Sequence, residues 1–209
     1  AGKSTVLKTL FGMLKVRNGR IRLYGEDITG ASAKDLLVKH GIAFVPQEAN
    51  IFPTMTVREN LEMGGFIAPG LVAERTQSIF ARFPILAEKN KQQARTLSGG
   101  QRQILAMAMA LMVDPELLLL DEPSAGLSPK AADALFDEIV AIHASGTSIA
   151  MVEQNAYEAL MIADRGVVLV DGRSVRTGPA RELAADRERD VVDAELRHGQ
   201  VGFAVTLMN

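Results

Sequence analysis

The sequence predicts an α/β protein: a mostly parallel sheet with an antiparallel portion and a helical segment inserted between two of its strands. Three observations predict it. Leu117-Leu118-Leu119-Leu120 is a continuous apolar run closed by Asp121 and Glu122, the pattern of a strand buried on both faces. Ala1-Gly2-Lys3-Ser4-Thr5 opens a helical pattern through Val6, Leu7, Leu10 and Leu14. Gly41 to Gln47 and Ser148 to Val152 read as two more buried strands, set apart from the first by helical stretches. Ligands of an open α/β sheet bind at the carboxyl ends of its strands, so Asp121 and Glu122 mark the working edge.

With 209 residues, 47% of them hydrophobic, the chain suffices for one sizeable domain, taken as residues 1–209, and not for two. A net charge of −2 offers no electrostatic attraction for nucleic acid or anionic lipid, and the absence of tryptophan weakens any base-stacking role. There is no cysteine, so no disulfide framework is implied. No apolar run approaches the roughly 18 residues needed to cross a bilayer, so membrane association must come through a partner.

Taken in order, Ala1 to Thr5 forms the second half of a phosphate-binding loop, G-x-x-x-x-G-K-[ST]. There the helix start presents backbone N–H groups to phosphate, the lysine reaches the β and γ phosphates, and the hydroxyl ligates magnesium. Gly2, Lys3, Ser4 and Thr5 are therefore nucleotide-binding candidates. A chain starting at Ala1 lacks the first glycine of this motif, the strand before it and an aromatic ring for adenine. It is expected to bind ATP weakly and to leave a sheet edge uncovered. Arg20 to Gly25 alternates polar and apolar residues as a half-exposed antiparallel strand does. A short helix is predicted around Asp35 to Lys39, before the buried strand that ends at Pro46-Gln47.

From Met55 to Met112 the pattern is helical, punctuated by Pro69-Gly70 and Pro84. Ser98-Gly99-Gly100 starts a helix from Gln101 to Met112, and a serine with glycines at a helix start is both an N-cap and an anion site. After Glu122, Pro123 to Pro129 is a loop leading to an amphipathic helix that ends near His143. The strand 148–152 is capped by Glu153-Gln154-Asn155. Val167 to Val175 reads as a hairpin turning at Asp171-Gly172. A last helix is predicted near Arg181 to Ala185. Residues 186–197 carry dense mixed charge, the mark of a solvated helix face, and 202–209 carry no readable pattern.

AGKST, LSGGQ at Leu97 to Gln101 and LLLLDE, in this order, resemble the ATP-binding-cassette ATPases, the nucleotide-binding subunits of ABC transporters. The resemblance covers essentially the whole chain. It implies a P-loop NTPase core of RecA-like type with a helical subdomain at 55–112, and it implies ATP and Mg2+ as ligands. Lys3 would neutralise phosphate oxygens. Ser4, Asp121 and Gln47 would serve the metal, and Glu122 would be the general base or the orienter of the attacking water. Gln47 falls where the family has its Q-loop, touching metal and water and hinging the subdomain. Ser98, Gly99, Gly100 and Gln101 would bind the γ-phosphate held by a second ATPase subunit, so two subunits must meet head to tail. Phe52, Met55 and Met63 are candidates for the groove that receives the permease.

Two positions depart from the family pattern. Ser128 stands where an aspartate usually ends the D-loop, which weakens expected contacts across the dimer. Gln154 stands where most members carry the histidine that senses the γ-phosphate, while His40, His143 and His198 lie elsewhere. An amide can still donate to phosphate, but the bond is neutral on the donor side and roughly half as strong as one from an imidazolium, and the amide shuttles no proton near neutral pH. PSAGLSP, VEQN and IFPTMTVRENL look like the subunits serving branched-chain amino-acid uptake, with importers of urea or short amides sharing the pattern. That resemblance implies a homo- or heterodimer on permease subunits, at the cytoplasmic face of the membrane, fed by a periplasmic solute-binding protein. Two other readings are weighed: a nucleotide-gated regulatory module that dimerises, and a soluble cassette acting on DNA repair or ribosomes. Glu122 argues against the first, while Gln154 and Ser128 leave it open. The lack of a second cassette, coiled-coil insertion or zinc ligands argues against the other.

Overall fold

The computed structural model describes residues 2–48, 50–170 and 172–185, together with the backbone of a strand at 201–207. Its frame is a six-stranded sheet built from β3 (Ile42–Val45), β4 (Leu117–Asp121), β5 (Ser148–Glu153), β6 (Arg165–Val170), β7 (Arg173–Pro179) and β8 (Val201–Leu207), in the order β3-β4-β5-β8-β6-β7. β3, β4 and β5 are parallel neighbours. β8 runs antiparallel to both β5 and β6, so those two point the same way, and β7 returns antiparallel to β6.

Alternation along the parallel strands fills both faces. Leu118 and Leu120 of β4 join Ala43, Val45, Ile149 and Met151 in the larger core, while Leu119 joins Ile42 and Val152 in the smaller one. A period of two with both sides apolar is what a doubly covered strand requires. The smaller core is closed by α1 (Lys3–Leu10) and α2 (Ala33–His40), through Leu7 and Leu36. Between β3 and β4 every regular element is helical: α3 (Val57–Gly64), α4 (Val72–Arg82), α5 (Pro84–Glu88) and α6 (Gly99–Leu111), with 3-10 turns at Pro69–Leu71 and Ala94–Thr96. α6 packs on α3 and β3 and meets α7 (Pro129–Ala144). α8 (Ala156–Ile162) and α9 (Ala180–Ala185) pack together beside the far strands. Among the described residues no helix is long and apolar enough to cross a membrane.

Several boundaries differ from the sequence expectations. α1 stops at Leu10 rather than running to Leu14, because Gly12 adopts a left-handed φ of 71° just past the C-cap. The strand expected over Arg20 to Gly25 shrinks to β1 (Arg22–Leu23), since Tyr24 and Gly25 both take positive φ and turn the chain into β2 (Glu26–Asp27). The largest difference is at the C-terminal end. Most of the tract with no readable pattern falls in β8, which occupies a slot inside the sheet, so β5 and β6 are paired on that side instead of presenting an open edge. The charged tract 186–197 lies outside the described residues.

Candidate functional site

The carboxyl ends of β3, β4 and β5 converge on the start of α1. Leu7 anchors that helix in the small core beneath β4 and β5, which brings its first turn over the strand ends. Gly2 caps it in the left-handed region (φ 80°), a conformation that costs glycine nothing. The N–H groups of the first turn have no intrahelical partner and add to the positive end of the helix dipole.

Five predicted residues meet there. Lys3 Nζ lies 2.9 Å from Glu122 Oε1, with both side chains largely buried. The same ammonium donates to the backbone carbonyl of Glu153 at 3.4 Å. Ser4 Oγ donates to Asp121 Oδ1 at 2.7 Å. Gln47 Nε2 donates to Glu122 Oε2 at 3.1 Å, so each oxygen of that carboxylate has its own partner. Asp121 is 2% exposed, at the last position of β4.

Glu122 has a φ of 46°, uncommon for a residue with a side chain. Such a conformation costs on the order of 1–3 kcal/mol and persists only where the surroundings enforce it. Here the Glu122 N–H donates to the Val152 carbonyl at 2.9 Å, and the Ala125 N–H donates to the Glu122 carbonyl at 3.1 Å. The turn that swings Glu122 out of the sheet is thus tied to β5.

A Ser4 hydroxyl beside a buried carboxylate is the donor set that suits magnesium, a hard cation taking one or two carboxylates with substrate phosphates and water. The residues present fit that ion. Thr5 is exposed on the same turn.

The remaining predicted residues stand apart from this cluster. Ser98 caps α6, with its hydroxyl accepting from the Gln101 N–H and the Gln101 side chain accepting from the Ser98 N–H. No hydrogen bond among the described residues joins Ser98, Gly99, Gly100 or Gln101 to Lys3 or Glu122. The helix start instead faces the segment after Glu122: a Cβ on Gly99 would stand 3.3 Å from Leu127 Cδ2, and one on Gly100 3.3 Å from Ala131 Cβ. Gln154 is exposed beyond the end of β5. Its backbone N–H, not its amide, is the group held, by a carboxylate oxygen of Glu153.

Sequence reasoning treated Glu153 as a cap only. It is 1% exposed, and its carboxylate also accepts the Ser124 N–H at 2.8 Å. Burial pushes its pKa up, against the pull of the hydrogen bonds it accepts. The available signal was an acid closing a buried apolar strand, as Asp121 does on β4. Asn60 was likewise unmarked. It is fully buried, accepts from the Phe52 N–H at 2.7 Å, and donates to the carbonyls of Phe52 and Thr56 at 3.0 and 2.8 Å.

A lysine at a helix start facing paired acids at a strand end, with a serine next to it, defines a nucleoside-triphosphatase site of the phosphate-loop type. Comparisons with known proteins agree. The family model described as ABC transporter matches residues 1–125. A high-affinity branched-chain amino acid transport ATP-binding protein of Pseudomonas aeruginosa is 43% identical over 176 residues, covering 84% of this chain and 75% of that protein. A probable branched-chain amino acid transport ATP-binding protein of Archaeoglobus fulgidus is 42% identical over 185 residues, covering 88% and 78%. The crystal structure of a nucleotide-free ATP-binding cassette from an ABC transporter superposes with a TM-score of 0.84 at 26% identity, over 95% of this chain and 84% of that one. The chain belongs to the ABC transporter family, as an ATP-binding and ATP-hydrolysing cassette.

Proposed function

We propose that this cassette energises the uptake of branched-chain or closely related amino acids, acting with permease subunits at the cytoplasmic face of the membrane. The observation that carries the enzymatic part is the contact set of Lys3, Glu122 and Gln47 beside Ser4 and Asp121. The solute class is supported by the two relatives at 42–43% identity, both named for branched-chain amino acid transport.

In this reading Lys3 and the first-turn N–H groups of α1 hold the β and γ phosphates, with Gly2 and Thr5 framing them. Glu122 accepts the proton of the attacking water or orients it, and Gln47 fixes the second carboxylate oxygen so that the first faces the reacting centre. Catalysis of this kind is mostly positioning and charge stabilisation. Ser4 and Asp121 would hold Mg2+, aided by Gln47, and the ion would supply charge neutralisation on the phosphates. Ser98, Gly99, Gly100 and Gln101 serve the nucleotide of a second ATPase subunit, identical or related. Gln154 takes the sensing role with a neutral amide. Their separation from Lys3 within one chain supports a site completed by two subunits.

The helical segment 55–112 acts as a subdomain docking the permease. Exposed Phe52 (44%) and Met63 (40%) support this, as does a cleft lined by Phe44, Pro46, Met63 and Phe66. Met55 is half-buried. A periplasmic solute-binding protein would supply the solute to the permease.

The test is uptake of radiolabelled leucine by cells carrying the complete transporter with either the parent cassette or Glu122→Gln. Parent-dependent uptake abolished by the variant is the expected result. Uptake unaffected by Glu122→Gln removes the assignment. Loss of uptake for another solute, with leucine untouched, removes the amino-acid part alone.

A further inference from the structure

We propose that Glu153 is a positioning residue for hydrolysis: its buried carboxylate binds the loop that follows Glu122 to the loop that carries Gln154, and so keeps Glu122 in its left-handed conformation. The proposal rests on the reading of this site as an ATPase.

The geometry is specific. Glu153 closes β5, one residue beyond Val152, whose carbonyl accepts the Glu122 N–H. One carboxylate oxygen accepts the Ser124 N–H at 2.8 Å and the other accepts the Gln154 N–H at 3.0 Å. The Asn155 N–H and the Ser124 hydroxyl also favour the charged form of this carboxylate. The carbonyl of the same residue takes a bond from Lys3. Glu153 therefore touches the phosphate lysine, the turn after the acid and the segment bearing Gln154 at once.

The chemistry calls for an acid. A carboxylate is acceptor-only, with two oxygens, and the Ser124 and Gln154 N–H groups that meet them are donors. Among the described residues its side chain forms no ion pair with a lysine or arginine, although carboxylates are almost never fully buried unless paired. A buried acid held by donors from two loops is an expensive way to stabilise a fold and an effective way to fix those loops in one frame. Glutamine fills the same volume but sets an NH2 group against a backbone N–H, so one of the two tethers is lost.

The test compares the parent, Glu153→Gln and Glu153→Asp in the assembled transporter. It measures kcat and KM for ATP, the melting temperature, and hydrogen exchange at Ser124 and Gln154. The proposal expects Glu153→Gln to lower kcat at least tenfold with KM within threefold, a melting temperature no lower than the parent's, and at least tenfold faster exchange at one of the two amides. Aspartate keeps both acceptors and should recover part of the lost kcat. A kcat within twofold of the parent overturns the proposal. So does a joint fall of kcat, ATP affinity and melting temperature, which marks a structural role only. If Glu153→Gln does not fold, the aspartate variant and the parent's exchange rates decide, and Ser124 exchanging like an open loop in the parent overturns it. A parent that binds ATP without turnover overturns the ATPase reading itself, an outcome distinct from an active parent with an equally active Glu153→Gln.

Discussion

Lys3 and Glu122 form a short ion pair, 2.9 Å from Nζ to Oε1, across 119 positions of sequence, between the first turn of α1 and the turn after β4. An anion arriving at the start of α1 must share Lys3 with this carboxylate. Lys3→Ala should weaken ATP binding about 10–100-fold, the equivalent of one charge-assisted bond. Glu122→Gln should leave binding equal or tighter, because it removes a competing negative charge, while turnover falls ~10²–10⁴-fold. Fluorescent nucleotide titration beside phosphate release measures both, and weaker binding by Glu122→Gln would contradict the competition.

The close approach of α3 and α6 depends on Gly64. A Cβ there would stand 2.4 Å from the Met109 carbonyl oxygen and 2.9 Å from its Cα, both backbone atoms that cannot rotate away. Gly64→Ala should therefore destabilise by about 1–3 kcal/mol through overpacking. A lower urea midpoint at unchanged slope is the expected result.

Asn60 holds the loop 52–56 with hydrogen bonds to three of its residues. Asn60→Ala leaves the Phe52 N–H without that acceptor and should cost about 1–3 kcal/mol, the usual penalty for unsatisfied buried polar groups. Faster amide exchange at Phe52 should accompany the drop in urea midpoint. An unchanged midpoint would show that water replaces the side chain without loss.

Glu153 sets a pH dependence. Burial raises its folded pKa above the ordinary 4.5. The folded state thus holds the proton more tightly than the unfolded chain, so this group's stabilising contribution is full below about pH 4.5 and is lost as pH rises through the raised value. The stability of the parent relative to Glu153→Gln should accordingly fall as pH rises from about 4.5 through the raised value. Paired urea titrations across that range check it, and a difference growing with pH would reverse the sign.

Much of the fold is local, and that part was readable. The strands 42–45, 117–121 and 148–153 announce themselves because a doubly buried strand has no polar face to maintain. The start of α6 follows from Ser98 and that of α7 from Pro129, residues suited to a cap and to a first turn. β8 was unreadable because Val201 to Leu207 gains its strand character from partners on β5 and β6, 30 or more residues away. The site divides in the same way. Lys3, Ser4, Asp121 and Glu122 stand out through motif chemistry, whereas Glu153 looks like any polar residue at a strand end until its surroundings are known.

The amino-acid sequence by itself determined the fold class, the family and which side chains carry phosphate and acid chemistry, since these depend on residue type, periodicity and short spacing. Only the tertiary structure decided which of them touch: that Lys3 pairs with Glu122, that Ser4 rather than Lys3 faces Asp121, and that Ser98 to Gln101 stand apart. It also decided that a buried glutamate ties two loops together. Strand register and helix packing set those distances, and both arise from contacts between segments far apart in the chain, which no local pattern encodes.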